Sequence, residues 1–280
     1  GRFLAPAGVT VPDADMRRRV HERTEGWPAA LRLLQIVLSG RAPGEDVLDR
    51  FTGEDRDIAA VLTRRVLAGF KPAMVEFLVE IAPLREFSGE LAAHATGHAQ
   101  AGEWLELLLA RNVLVFPIDP GRRWLRMHTL LRQYLLAEGA RRQPRERRRE
   151  ILERAAQWHA ARGDHMAALE AALDAPAPRL AAGLLERLAR PVAADQGRLE
   201  LYVRWADQLL ACGVTLSLEA HTWYVWSLCF TLQYERAHRA IDALNHRLAE
   251  LDPRGEMEHL HVRLGLLRVV IAVYLDMPET

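Results

Sequence analysis

The chain has 280 residues, half of them apolar and 26% charged, a balance that excludes a disordered segment or a fibre. Its 37 basic and 37 acidic side chains cancel, so no global charge draws it to nucleic acid or anionic lipid. Two cysteines, Cys212 and Cys229, are too few for a disulfide framework and suit a reducing cytosol.

From the N-terminus, the first predicted helix starts at or just after Pro12 and ends near Thr24. Pro12 suits a first turn, and Asp13 and Asp15 complement the positive end of the helix dipole. Gly26 then stands where a left-handed residue closes a helix, and Pro28 supplies the fixed φ that starts the next. That second helix, Ala29 to about Ser39, carries Leu31, Leu34, Val37 and Leu38 on one stripe. The segment SGRAPGED (39–46) reads as a linker.

Short helices are expected at 55–68, 72–82, 88–96 and 101–111. Val113–Phe116 and Trp124–Met127 are short apolar or alternating runs, joined by a turn with Pro and Gly at 117–121. A further helix, TLLRQYLLAEGA, follows at once. Several helices, a hairpin and a closing helix are the order of a winged-helix unit.

Beyond 141 every segment reads as helical. Residues 148–175 form two amphipathic helices around Gly163-Asp164, and 219–251 repeat the arrangement around Gln233-Tyr234. Small residues recur where paired helices must approach: Ala168, Ala172 and Ala175, then Ala237, Ala240 and Ala243. Each pair leaves an apolar face for a neighbouring pair, which predicts the opening repeats of a TPR-like α-solenoid, uncapped at Thr280. The fold class is therefore mainly α. The most apolar stretch, Leu264 to Leu275, is too short to span a bilayer and is broken by Arg268.

Two short stretches hold the candidate site. In TEGWPAAL (24–31) an indole sits on a Gly–Pro corner. By pattern alone Trp27 is a core aromatic there. In Arg126-Met127-His128-Thr129 a histidine lies where a strand hands over to a helix, beside the free N–H groups of that helix. Those groups and an imidazole donor suit an anion such as phosphate, whereas the plainer reading is a histidine satisfied by a backbone carbonyl. The pairs His94/His98 and His259/His261 have no metal-site spacing with Cys or carboxylates and read as solvent-facing. RRQPRERRRE (141–150), with its glutamates, reads as a hinge or helix start.

These residues also carry a resemblance. TEGWPAALRLL is similar to the EGW-x-x-AL-x-L signature of the MalT-like branch of the large ATP-binding LuxR-family regulators, which are STAND-class ATPases. LLARNVLVFPIDPGRRWLRMHTLLRQYL resembles their second block, L-x-x-x-N-L-F-[VL] … W-[YF]-R-x-H-x-L-[FL]-x-x-[FY]-L, in the same order and at the same separation. The resemblance implies a nucleotide sensor. In that family the Gly-x-Pro corner, here Gly26, Trp27 and Pro28, lies against the adenine side of ADP. A histidine at the end of the hairpin, here His128, reaches the β-phosphate. Thr129 departs from the acidic residue of more distant relatives, which puts a charge role at that position in doubt.

The expected organisation is then residues 1–42 as the end of the nucleotide lid and 43–142 as the winged helix. Residues 143–212 would be a helical connector, and 213–280 the start of the sensor solenoid. No P-loop signature is present, since Lys71 is the only lysine and stands in AGFKPA; nor is a DNA-reading helix-turn-helix recognisable. The chain therefore reads as a central piece of a longer cytoplasmic regulator. It would have no catalytic residues or metal of its own, and ADP or ATP would be held only in the full-length protein. The expected partners are a P-loop domain in cis, an inducer at the solenoid and, on activation, further copies of the protein; DNA would be met only through another domain. The alternative is a winged-helix nucleic-acid binder with a helical interaction tail. Its recognition helix would be EWLELLLARN (103–112), which carries two glutamates and one arginine.

Overall fold

The computed structural model describes residues 14–26, 30, 31, 34, 52–111, 114–252 and 257–275. The chain divides into two compact units, Gly1–Ala155 and Ala156–Thr280. No helix among the described residues is long and apolar enough to cross a membrane.

In the first unit, α1 spans Ala14–Thr24, and Ala30, Leu31 and Leu34 are helical, with Ala30 and Leu34 fully buried. The remainder of that second expected helix, including Val37 and Leu38, and the linker 39–46 lie outside the described residues, as do Pro12 and Asp13. The expected helix at 55–68 is present in two parts, α2 at Arg56–Val61 and a wider π-helical continuation over Leu62–Leu67. α3 runs over Pro72–Ile81 with Pro72 at its first turn, where a missing N–H costs nothing. α4, Gly89–Thr96, is bounded by local chemistry at both ends. Ser88 Oγ accepts the Leu91 N–H at 3.2 Å, and Gly97, at φ +83°, closes the helix in the left-handed region. α5 covers Ala101–Ala110.

The hairpin pairs β1, Val115–Pro117, with β2, Leu125–Met127, antiparallel, with Phe116 opposite Arg126. Val113 of the expected first strand lies outside the described residues, and β2 starts one residue later than the sequence suggested. Pro117 can end β1 because it lacks a donor there, and Trp124 is drawn into the loop when its N–H is taken by Asp119 Oδ1 at 2.7 Å. A third segment joins at a single residue. Phe87 exchanges both backbone hydrogen bonds with Leu125, at 2.9 and 2.8 Å. α6, Thr129–Arg142, closes the unit, and α7, Arg145–Ala161, begins after the break at Gln143-Pro144. The basic run 141–150 is thus a helix end, a break and a helix start.

In this unit Phe77, Leu78, Ile81, Phe87, Leu91, Leu125, Leu131 and Leu135 are buried. Burying such side chains is worth about 1.5–3 kcal/mol each. Four short helices, a short sheet and a closing helix make this a winged-helix domain.

The second unit is wholly helical: α8 (His165–Asp174), α9 (Pro178–Leu188) with a π-helical extension over Ala189–Asp195, α10 (Leu199–Ala211), α11 (Leu218–Phe230), α12 (Tyr234–Leu251) and α13 (Glu258–Leu275). Asp164 and Ser217 cap α8 and α11 through the N–H groups of Ala167 and Ala220. One core runs from Ala156 to Ile271 and includes Tyr202, Trp205, Leu228, Ile241 and Leu264. Ala168, Ala172 and Ala175 are fully buried, as expected. The second alanine series needs correcting. Ala237 is buried and Ala240 partly so, but Ala243 is exposed, because the inward stripe of α12 is Ala237, Ile241, Leu244 and Leu248. On α13, Leu260, Leu264, Leu267 and Ile271 face inward, while Val262, Leu266, Val269 and Val273 form an exposed apolar stripe.

Candidate functional site

The site is built where the end of α1 meets the junction of β2 and α6. α1 closes with two consecutive left-handed residues, Glu25 at φ +44° and Gly26 at φ +74°, and the Glu25 N–H bonds back to the His21 carbonyl at 2.7 Å. Gly26 carries this conformation without penalty, whereas Glu25 does so at a cost. Gly26 is exposed; Trp27 and Pro28 lie outside the described residues.

His128 is fully buried between β2 and α6. Its backbone N–H continues the hairpin ladder to the Leu114 carbonyl at 2.8 Å. The ring does two further things. Nδ1 accepts the Leu130 N–H at 3.1 Å, capping α6, and Nε2 stands 2.8 Å from the Thr24 carbonyl oxygen. A carbonyl can only accept, so Nε2 carries the proton and donates, and the imidazole is the neutral Nε2–H tautomer. Burial pushes its pKa below the ordinary histidine value, partly offset by the Thr24 carbonyl and the Glu25 carboxylate.

Glu25 occupies the adjoining place. Its carboxylate accepts the Thr129 N–H at 3.0 Å and the Thr129 hydroxyl, and it meets Arg126 Nη1 at 2.7 Å. Burial alone would raise its pKa, but the donors Thr129 and Arg126 outweigh that and hold it below the usual carboxylate range. The free N–H end of α6, expected to suit an anion, is thus met by a carboxylate of the same chain. The Arg126 guanidinium also lies 5.8 Å from the centroid of the Phe116 ring, which is itself 6.2 Å from the His128 ring.

The two sequence blocks therefore come together across 104 residues, through His128–Thr24 and Glu25–Thr129. Of the four predicted site residues, Gly26 and His128 flank this contact. Sequence reasoning missed Glu25, Arg126 and Thr129 as a set. The signal was present as one acid and one base in the two blocks: Glu25, just past α1, brings its carboxylate to the start of α6.

Other candidates settle differently. His94 and His259 are exposed, but His98 faces inward and bonds the buried Glu80 through Nε2 at 2.8 Å, contrary to the solvent-facing expectation. His98 is steered there because Glu80 is buried and needs partners. No group of His, Cys, Asp or Glu suited to a metal occurs among the described residues. On α5, Glu103 and Glu106 are exposed, which disfavours entry of that helix into a DNA groove.

Comparison with known proteins bears on the whole arrangement. Residues 63–147 match the MalT winged helix domain. The chain is 24% identical over 244 residues to the HTH-type transcriptional regulator AlkS of Alcanivorax borkumensis, covering 85% of this chain and 27% of that protein. It is 25% identical over 157 residues to the HTH-type transcriptional regulator MalT of Vibrio campbellii, covering 55% of this chain and 17% of that one. The serine/threonine-protein kinase PknK of Mycobacterium tuberculosis is 26% identical over 226 residues, covering 72% and 20% respectively. The chain thus resembles MalT-like regulators at low identity, and it spans 17% to 27% of the length of these relatives.

Proposed function

We propose that this chain is the regulatory, signal-transducing segment of a STAND-class, ATP-dependent transcription regulator of the LuxR type. The observation that carries the reading is the His128–Thr24 bond, which joins the end of the lid helix to the winged helix at a single buried imidazole. In the full-length protein ADP would lie between Gly26, Trp27 and Pro28 on its adenine side and His128 on its phosphate side, where the Nε2–H would exchange the Thr24 carbonyl for a phosphate oxygen. The bound nucleotide would hold lid and winged helix shut. An inducer bound at the helical repeats, with ATP in place of ADP, would favour an open form that self-associates and activates transcription in the cytoplasm. Such coupling requires only that each ligand prefer one of the two states.

The similarity to two transcription regulators and to a kinase supports a switching role, since one segment is shared by proteins with different outputs. The fragment itself would not hydrolyse ATP. The proposal is tested with His128→Ala in the full-length regulator. ADP affinity should fall about tenfold or more, and transcription without inducer should rise, for the loss of one charge-assisted hydrogen bond. Unchanged affinity together with unchanged basal transcription would remove His128 from the sensor role.

A further inference from the structure

The outward side of α13 carries a pattern that the core of the second unit does not explain. Leu260, Leu264, Leu267 and Ile271 already seal the helix onto its neighbours, yet Val262, Leu266, Val269 and Val273 stand 57%, 63%, 62% and 57% exposed. Their spacing of four, three and four is the strict seam of a coiled coil, narrower than the face by which a helix covers a globular core. No charge lies on the line. The two arginines between its ends are turned to acids of the same unit: Arg263 meets Glu219 on α11 at 3.0 Å, and Arg268 meets Asp242 on α12 at 3.6 Å. Charges that ordinarily guard an apolar line against pairing are thus drawn aside. Gly265 and Ala272 beside the line are exposed and small, so a second helix can come close.

We propose that this stripe pairs α13 with the α13 of a second copy of the chain, antiparallel, about a two-fold axis between Leu266 and Val269. The spacing reads the same in both directions. That register therefore sets Val262 against Val273 of the second copy and Leu266 against its Val269, and every member of the line gains an apolar partner, as an isologous contact requires. Antiparallel pairing also opposes the two helix dipoles. The seam is about 16 Å long, three helical turns. It offers on the order of 400 Å² of apolar surface, a size at which an exposed patch marks an interaction site. A stable dimer takes about 800 Å² from each partner, so a contact along this line alone is weak and depends on concentration. The pairing supplies a face for the self-association invoked above but uses neither nucleotide nor inducer.

Sedimentation equilibrium of the 280-residue chain, from micromolar to millimolar concentration, tests the pairing. The wild-type mass should climb from that of one chain toward that of two. Leu266→Glu and Val269→Lys should each stay at one chain throughout and keep the helical circular dichroism of the wild type, since both positions face solvent. An equimolar mixture of the two variants should associate about tenfold or more tighter than either alone. In that mixture the glutamate of one chain meets the lysine of the other while a valine meets a leucine, a match that the antiparallel register allows and a parallel one does not. Should Leu266→Glu fail to fold, Val262→Glu mixed with Val273→Lys makes the same comparison at the ends of the seam.

A wild-type chain that stays single at millimolar concentration overturns the proposal and assigns the stripe to a different helix. Dimerisation that Leu266→Glu leaves unchanged overturns it as well, because the contact then lies elsewhere. A mixture no tighter than its components removes the antiparallel register, and the proposal with it. Any of these results leaves His128 and ADP binding untouched, whereas a His128→Ala variant without effect on ADP discards the nucleotide reading and leaves the α13 pairing in place.

Discussion

Arg147 Nε lies 2.7 Å from Oε1 of Glu80, and the same guanidinium donates to the Thr96 carbonyl oxygen at 2.7 Å. Glu80 is a carboxylate on α3 with a side chain only 6% exposed, and its second oxygen meets His98 at 2.8 Å. The first turns of α7 are thus fastened to α3 and to the end of α4 by one buried acid. Removing the base leaves that buried acid with His98 as its remaining partner, so Arg147→Ala should destabilise the first unit by about 2–3 kcal/mol. Urea unfolding followed by far-UV circular dichroism measures it. Adding Glu80→Gln to Arg147→Ala should recover part of the loss, because the uncompensated charge is then gone. A loss below about 0.5 kcal/mol would mean that the pair behaves as an ordinary surface bridge.

Gly53 packs against the backbone of α6, and its N–H donates to Gln133 Oε1 at 3.0 Å. A Cβ at this position would stand 2.1 Å from the Leu130 carbonyl oxygen and 2.6 Å from the Tyr134 nitrogen, both backbone atoms that cannot swing aside. Gly53→Ala should therefore push the segment at 52–55 off α6 and cost about 1–3 kcal/mol, the range for overpacking. The midpoint of thermal unfolding would fall by several degrees, while Gly163→Ala, which meets no atom within 4 Å, would show only the penalty of its left-handed φ.

The histidines predict how the fold responds to acid. His128 has its pKa lowered, first by burial, and His221 is pushed down to about 4 by burial and by Arg247 beside it. A group with a depressed folded pKa is neutral in the fold and takes up a proton more readily when unfolded. Stability is then fully present above roughly pH 6.5 and is lost as pH falls below that value toward the folded pKa. Urea midpoints should be level between about pH 7 and 8 and decline from pH 6 to 5. His221→Gln should flatten that decline, by on the order of 2 kcal/mol at pH 4 after allowance for partial solvation. A midpoint that rises on acidification would contradict the sign.

Tyr202 is fully buried, and its hydroxyl donates to the Ala220 carbonyl oxygen at 3.0 Å, linking α10 to α11. Burial pushes the phenol pKa well above its ordinary value, so the proton stays on oxygen throughout the working range. Tyr202→Phe keeps the ring and removes the donor, leaving a buried carbonyl with one partner fewer. It should cost about 1 kcal/mol in the second unit. The Tyr202→Ala variant should cost about 3–5 kcal/mol, since a cavity is added to the lost bond.

How much of this was legible beforehand follows from the range over which each interaction acts. Helix order and the hairpin could be read because their signals are local. Ser88 and Gly97 bound α4 within a few residues of the bonds they make, Pro72 opens α3, and Gly163 and Asp164 separate two periodic stripes. The meeting of Thr24 and Glu25 with His128 and Thr129 joins two blocks that only the resemblance had linked, and Ala243 was misplaced because a run of spaced alanines does not say which face of α12 turns inward.

The amino-acid sequence by itself determined the helices, their caps, the hairpin and the absence of any charge imbalance, since each depends on neighbours a few residues apart. Tertiary structure alone decided that the Thr24 carbonyl selects the His128 tautomer, that Glu25 rather than residue 129 brings the acid to α6, and that Glu80 takes both Arg147 and His98. The physical reason is that a buried donor or charge accepts whichever complementary group the closed fold carries to within about 3 Å, and that group can come from anywhere along the chain.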